Sequence, residues 1–486
     1  MPGGRPARFR HRSILSSFVR CWHEERNESG HWPAFLYEPM GELQSFYLIS
    51  LGCPKNLVDS EGIATLLRRA GYSSTVDLAE ADLLIVNTCG FIEAAREESR
   101  AVLEQLVQNK RPGQRIIAAG CYSQRCPGEL AEIVPGIDGL IGTRTWVDIL
   151  DLVEQLEERG EPPRPSQPIY HMPAVASVVQ DTHGVVRAAV QGASAYLKLA
   201  DGCRRSCAFC AIPLIKGPAV SRPPEAVLAD ARRLADFGVQ EIILIAQDTT
   251  DYGHDLGMED GLAHLLDELV AEVPRVPWIR LMYAYPGRIT DHLIATMARQ
   301  PRILPYVDLP LQHAHPDVLR RMRRPANINR VRRTVEKLRG AMPEIAIRTT
   351  FLVGYPGETE AEFQTLLEFV EELEFDRVGV FTYSHEEGTL AAEMGDDVPP
   401  EVKEQRRQQL MAVQQPISLR KNQALVGRTL DVLVEGQDED LSVGRSYRDA
   451  PEVDGLVLVQ TALPLGEIVP VHIIAALEYD LFGERI

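Results

Sequence analysis

The stretch AYLKLADGCRRSCAFC, residues 195–210, is an apolar run that turns directly into a loop bearing three cysteines. The run 195–200 has the length and composition of a buried strand, and Cys203, Cys207 and Cys210 stand just past its C-terminal end. Downstream, EIILIA (241–246), WIRLMY (278–283), YVDLPL (306–311), IAIRTTFLV (345–353) and DRVGVFTY (376–383) repeat the apolar run. Helical stretches such as PEAVLADARRLADFG (224–238) and ETEAEFQTLLEFVEELE (358–374) lie between them. Six strand–helix repeats in about 220 residues predict a partial or full (β/α) barrel over 194–417 rather than a sandwich. In such barrels the active site lies at the C-terminal strand ends, where these three thiols fall.

Toward the N-terminus the same alternation recurs on a smaller scale. FYLISL (46–51), DLLIVN (82–87) and RIIAAG (115–120) read as parallel strands, each followed by an amphipathic stretch, so residues 44–158 form an α/β domain. The Pro-rich RGEPPRPSQP (159–168) opens a linker that extends to 193. Residues 1–43 lack the apolar core and small-residue cleavage site of a secretory signal. They read as an extension, either disordered or preceding a true start near Met40.

Toward the C-terminus a long helical stretch, 401–427, contains Pro416, which is expected to interrupt it and set a boundary near Ser418. Beyond it TLDVLVEG (429–436), GLVLVQ (455–460) and EIVPVHIIAAL (467–477) predict a small β-barrel over 418–486. The fold class is therefore α/β, with a parallel-sheet domain, a central (β/α) barrel and a terminal β-barrel.

The chain has 486 residues, 45% hydrophobic and 25% charged, a globular balance that rules out a disordered or fibrous chain. No run approaches the length needed to span a bilayer, so no membrane is expected and the cytoplasm is the expected compartment. The net charge of −18 argues against a chain that binds nucleic acid through phosphates. It favours a small-molecule substrate or a basic macromolecular partner. Eight cysteines in 486 residues are too few for a disulfide scaffold.

Three thiols in eight residues point to a shared metal, and the count of three is informative. Structural zinc takes four N or S ligands, and an iron–sulfur cluster also takes four cysteines. A 4Fe–4S cluster held by three leaves one iron open for a substrate or cofactor, while zinc with a fourth ligand from elsewhere is the alternative. Phe209, beside the last thiol, would shield such a cluster from water. A second trio is more dispersed: Cys53, Cys89 and Cys121 each follow one of the three N-terminal strands. At that edge of a parallel sheet ligands bind, so the three would converge on a second cluster, again with one open iron. Cys126 and Cys21 have no such placement and read as ordinary thiols.

Other candidates are weaker. Gln247 and Asp248 lie at a strand end, and Arg348 sits on a strand where it would meet a carboxylate. Gly354 and Gly357, in GYPGE, follow another strand and would let backbone approach a cofactor. His313 and His315 after DLPLQ lie near the site or are satisfied buried histidines. Lys55 and Asn56 neighbour Cys53.

The spacing Cys203-x3-Cys207-x2-Cys210 resembles the signature of radical S-adenosylmethionine enzymes. LGCPKNLVDSE (51–61), NTCGFI (87–92) and Gly120-Cys121 resemble the N-terminal domain of methylthiotransferases, and the C-terminal region resembles their TRAM domain. The resemblance runs from about residue 44 to the C-terminus. It implies two 4Fe–4S clusters and S-adenosylmethionine, with an electron donor of flavodoxin or ferredoxin type and a sulfur donor. It also implies radical hydrogen abstraction followed by methylthio transfer. CPKN, QDTTDYG (247–253), LPLQHAH (309–315), GRSYRDAPEVDG (444–455) and EYDLFG (478–483) resemble the RimO-type branch. That branch modifies an aspartate of the decoding-centre protein of the small ribosomal subunit, and enzymes acting on a tRNA adenosine are the alternative. From Gly427 to Ile486 there are 12 acidic residues against four arginines, a balance that repels RNA and suits a basic ribosomal protein.

Overall fold

In the computed structural model, residues 43–160, 167–173 and 184–486 are described. Of the proposed extension 1–43, all but Leu43 lies outside them, as does part of the linker.

The first unit alternates β1 (Ser45–Ser50), α1 (Pro54–Arg69), β2 (Ser73–Ser74), β3 (Leu83–Thr88), α2 (Glu93–Gln108) and β4 (Arg115–Gly120). It continues through α3 (Cys121–Arg125), α4 (Pro127–Ile133), β5 (Gly139–Gly142), α5 (Ile149–Arg159) and β6 (Ile169–His171). All six strands pair in parallel in the order β2-β1-β3-β4-β5-β6. The fully buried β3 and β4 are continuous apolar runs because helices cover both faces. β6 belongs to this sheet although it falls in the stretch read as a linker.

The second unit opens with β7 (Ala188–Gln191), an antiparallel edge on β8 (Ser194–Lys198). A small hairpin-like pair, β9 (Ala200–Asp201) and β10 (Val220–Ser221), encloses the cysteine loop and α6 (Ile212–Lys216). Then follow α7 (Pro224–Phe237), β11 (Glu241–Ile245), α8 (Gly261–Glu272), β12 (Trp278–Leu281), α9 (Asp291–Arg299) and β13 (Tyr306–Asp308). After these come α10 (Pro316–Arg321), α11 (Ile328–Ala341), β14 (Ala346–Val353), α12 (Glu360–Leu373) and β15 (Arg377–Thr382). β8-β11-β12 and β13-β14-β15 are parallel sets joined by no continuous ladder, with an isolated bridge from Ile279 to Ile303 and a bond from Ala284 N to Asp308 O at 2.8 Å between them. The result is an open, partial barrel, the first of the two forms the repeats allowed.

α13 (Pro400–Gln423) runs unbroken through Pro416 and past Ser418, contrary to the expected interruption. Proline removes one helix hydrogen bond, but Gln414 and Ser418 on the buried face donate to Phe375 O and Glu478 O at 2.8 and 2.5 Å. Tertiary contacts override the local break. The chain ends in a closed five-stranded barrel in the order β16 (Thr429–Asp438), β17 (Leu441–Ser446), β18 (Val457–Val459), β20 (Leu481–Arg485), β19 (Ile468–Ala476). Its β17–β18 loop plugs the central unit from below. Val58 of α1, Leu433 and Ala450 of the terminal barrel, and Tyr196, Ile243 and Tyr306 of the central strands share one buried core.

Candidate functional site

Cys53, Cys89 and Cys121 lie just past the C-terminal ends of β1, β3 and β4, three adjacent strands. The strand order reverses about β1, which opens a crevice at its C-terminal edge, between the turns after β1 and β3. Gly52 has φ +87, and a Cβ there would lie 2.7 Å from Cys89 Cβ, so glycine is what lets the two turns touch. Buried Asn56 stitches the three ends together. Its amide donates to Leu51 O and Thr88 O at 3.1 and 3.0 Å, and its Oδ1 accepts from Cys121 Sγ at 3.4 Å. Asn87 donates to Asn56 O and Ser60 Oγ, both at 2.9 Å, and so holds Asn56 in place.

The three thiols differ electrostatically. Burial pushes Cys121 up to about 12, with Lys216 working against it. Burial also opposes ionisation of Cys53, but Lys55, the backbone N–H of Asn56 and Lys216 outweigh it and hold that thiol below its ordinary value. Cys89 is raised by burial.

Cys203, Cys207 and Cys210 occupy the loop between β9 and α6, at the C-terminal mouth of the partial barrel. Arg205 N donates to Cys203 Sγ at 3.4 Å and Arg324 Nη1 to Cys207 Sγ at 3.7 Å. Burial pushes Cys203 up to about 11 and Cys210 up to about 12. The loop is anchored to the end of β11: Arg204 clasps Asp251 with both forks, and Arg205 reaches Asp248 at 2.8 Å and Asp251 at 3.0 Å. Phe209 packs beside Val318, Met322, Leu352 and Tyr355, a small apolar wall next to the loop.

Two connections join the trios. Lys216, at the end of α6, donates to Asp59 Oδ2 of α1 at 3.1 Å and to Thr143 Oγ1 after β5 at 2.7 Å. Asp59 also takes Lys198 and, at 3.5 Å, Arg187. The second connection is the segment after β12, where Lys55 lies over the Tyr283 ring while Arg205 and Arg324 flank that of Tyr285. Sequence reading missed Asp59, Lys216, Arg205, Arg324 and Tyr283. Only Asp59 left a local signal, following Lys55 by four and Asn56 by three on one helix.

The other candidates are dispersed. Gln247 is half-buried at the end of β11, near the anchored loop. Asp248 is satisfied by Arg205 and Thr250. Arg348 finds its carboxylates deep in the barrel, Asp308 at 2.9 Å and Asp454 at 3.4 Å, away from the strand end. Gly354 has φ +69, and any Cβ there would strike the Lys403 stem of α13, so its freedom serves helix packing; Gly357, at φ +70, opens on free space. His313 is buried, accepting from His315 N at 2.9 Å with Glu358 on its other face at 3.4 Å, and His315 caps α10. These contacts tie both histidines to the start of α10. Cys126 packs in the apolar layer beside α4, and Cys21 lies outside the described residues.

The donor sets fit iron–sulfur clusters. All seven described cysteines are free thiols, and cations or N–H groups stand beside each trio. Among the described residues no three His, Cys, Asp or Glu converge as the ligands of a single ion would. The sulfurs round a cubane stand farther apart, so a cluster does not need that convergence.

Comparison with known proteins agrees with this geometry. The radical SAM superfamily matches residues 197–370, the uncharacterized protein family UPF0004 residues 45–142, and the TRAM domain residues 426–486. A Chloroflexus aurantiacus protein named ribosomal protein uS12 methylthiotransferase RimO is 51% identical over 91% of this chain and 99% of its own length. Proteins of that name from a Roseiflexus species and Microcystis aeruginosa are 49% and 45% identical, covering 91% and 92% of this chain and 97% and 100% of theirs. Among solved structures, the radical S-adenosylmethionine methyltransferase TsrM from Kitasatospora setae shares the fold. Its TM-score is 0.53 at 13% identity, over 82% of this chain and 77% of that one.

Proposed function

The chain belongs to the family of these relatives, the ribosomal protein uS12 methylthiotransferases, and on that footing we propose that it attaches a methylthio group to the β-carbon of an aspartate in uS12. Membership of the radical SAM superfamily implies a 4Fe–4S cluster and S-adenosylmethionine. In this reading Cys203, Cys207 and Cys210 hold that cluster, and Cys53, Cys89 and Cys121 hold a second. When bound, the first cluster with S-adenosylmethionine would supply a hydrogen-abstracting radical, and the second would hold at its open iron the sulfur to be methylated and transferred. Such chemistry suits an unactivated C–H bond, which acid–base groups of ordinary pKa do not attack.

The chain's own residues bind, orient and screen. Arg205 and Arg324 direct N–H groups at Cys203 and Cys207, and Lys55 and Lys216 flank the other trio, so both sets of thiolate charge are offset. Phe209 with Leu352 and Tyr355 keeps water from the last thiol of the loop. Gln247, Gly354 and Gly357 line the strand ends proposed to face S-adenosylmethionine. Arg348, paired with Asp308 and Asp454 inside the barrel, does not reach those ends directly. A flavodoxin- or ferredoxin-like electron donor, a sulfur donor and a cytoplasmic setting complete the proposal. No helix among the described residues is long and apolar enough to cross a membrane.

The observation that carries this reading is the pair of three-thiol sets at facing strand ends, joined through Asp59 and Lys216. The names of the relatives and the acidity of the terminal barrel weigh against a tRNA substrate. Mass spectrometry of host cells with and without this gene tests it, reading uS12 peptides and tRNA nucleosides together. Loss of a methylthio increment from a uS12 aspartate is the expected result, whereas its loss from a tRNA adenosine instead would refute the substrate.

A further inference from the structure

Residues 319–340, LRRMRRPANINRVRRTVEKLRG, hold nine lysines and arginines against one acid, Glu336, in a chain whose net charge is −18. They cover the end of α10 and all but the last residue of α11. Four of the cations are paired with carboxylates: Arg320 with Asp317, Arg321 with Glu362, Arg332 with Glu372 and Lys337 with Asp291. Arg339 donates to Leu373 O and Glu374 O at 2.7 and 2.9 Å, and Arg324 turns toward Cys207. The remaining three, Arg323, Arg330 and Arg333, are exposed and enter no ion pair among the described residues. Arg288, equally exposed and outside any ion pair there, joins them, since Arg330 donates to the neighbouring Gly287 O at 2.9 Å.

This basic face lies against the cysteine loop. Ala208 N donates to Met322 O at 2.9 Å, and Arg324 Nη1 lies 3.7 Å from Cys207 Sγ, so Arg323 stands between two contacts with the loop. Arg324 also stacks on Tyr285, three residues before Arg288. The loop itself reaches the surface at Arg204 and Ser206, and Cys207 beside them is half-buried. Like charges gathered at a surface repel one another, and an anionic partner removes that cost. Ribosomal RNA is one anionic surface, but nothing would tie its phosphates to the cysteine loop. A protein that delivers electrons must dock there, because electron transfer weakens steeply with separation.

We propose that this face docks a small acidic protein that carries one electron to the group held by Cys203, Cys207 and Cys210. This rests on the radical S-adenosylmethionine reading above and gives the electron donor a place on the chain. In the step the carrier is oxidised by one electron and the loop's cluster is reduced by one, with no bond made or broken. Arg288, Arg323, Arg330 and Arg333 attract the carrier's carboxylates, and the Met322 and Arg324 contacts join the docked face to the loop.

The test compares the reconstituted full chain with the triple variant Arg288→Glu, Arg323→Glu, Arg333→Glu. Binding of labelled, oxidised flavodoxin and ferredoxin is read anaerobically by fluorescence anisotropy. Wild type should bind at least one of them, more weakly as salt rises. The variant should bind that carrier at least about tenfold more weakly and with a flatter salt dependence. Formation of 5′-deoxyadenosine driven by the reduced carrier should fall with it. The same reaction driven by dithionite, a small reductant that needs no docking face, should match wild type, as should iron content. If the variant binds the carrier as wild type does, or if wild type binds neither carrier, the proposal falls. Loss of iron or of dithionite-driven activity in the variant would show that these arginines serve the loop rather than a partner, and sinks it too. Intact carrier binding with lost affinity for a ribosomal RNA fragment would assign the face to RNA instead. If wild type forms no 5′-deoxyadenosine even with dithionite, the radical reading itself fails.

Discussion

Asp59, on the first unit, is one carboxylate answering three buried cations, Lys198, Lys216 and Arg187, which reach it from the central unit and the residue before its first strand. Removing one member of a buried ionic set leaves uncompensated charge and costs about 3–5 kcal/mol. Asp59→Asn should therefore lower the stability measured by denaturant unfolding by that order, without altering the thiols themselves. A loss under about 1 kcal/mol would mean that the three cations are held by Asp201 and water instead. The placement of the cysteines was legible from sequence because three of them repeat one position in successive strand–helix units and three share one loop, although a single thiol at a strand end is often only a small buried hydrophobe. Asp59 was not, because Lys198 and Lys216 lie 139 and 157 residues away along the chain. Arg348 shows the intermediate case: a carboxylate partner was foreseeable, but not its depth inside the barrel, since β14 is buried along nearly its whole length.

Strands buried on both faces announce themselves as largely apolar runs, which is why β3, β4, β11 and, despite the Arg348-Thr349-Thr350 interruption, β14 were readable to within a residue or so. Edge strands of three or four residues, β6 and β7, carry no such run and vanish into what reads as a linker. The terminal barrel adds a further lesson, because two of its four arginines never reach the surface. Arg445 pairs with Glu241 at 2.6 Å beneath β11, and Arg448 pairs with Asp376 at 2.9 Å. Burial would raise Glu241, but Arg445 and Arg280 hold it down to about 2. A carboxyl depressed on folding contributes stability that is complete above its ordinary pKa of about 4.3 and fades as the pH falls toward 2. The thermal midpoint of the chain should therefore drop between pH 5 and 3, and Glu241→Gln should start lower and show a shallower drop. With Arg445 and Arg448 sequestered, the barrel's exposed acids, among them Asp438, Glu439 and Asp440, have only Arg428 and Arg485 as further arginines within the barrel's own sequence. Neutralising those three by Asp→Asn and Glu→Gln should slow uS12 association severalfold and flatten its salt dependence. Unchanged association kinetics would remove the barrel as the docking face.

At the scale of the whole molecule, the two trios sit on different units yet share one set of fastenings. α1 carries Cys53 as its N-cap, then Lys55, Asn56 and Asp59 within two turns, and these reach the other strand ends, the barrel mouth and the α6 lysine respectively. The arrangement is asymmetric in a way that activity can report. Work at the loop trio requires only the loop, its Arg205 and Arg324 contacts and the strand ends above it. Transfer of a methylthio group, on the proposed reading, requires both trios. Cys89→Ala should therefore reduce iron from about eight to about four per chain. It should still form 5′-deoxyadenosine from S-adenosylmethionine under reducing conditions, yet leave uS12 without the methylthio increment. Cys207→Ala should lose iron by the same amount and lose both products. Metal analysis, nucleoside chromatography and peptide mass spectrometry on the three proteins read these outcomes directly. Full methylthiolation by Cys89→Ala would show that one trio does all the chemistry. Loss of 5′-deoxyadenosine in both variants would show instead that Asn56 and Asp59 couple the trios so tightly that neither works without the other.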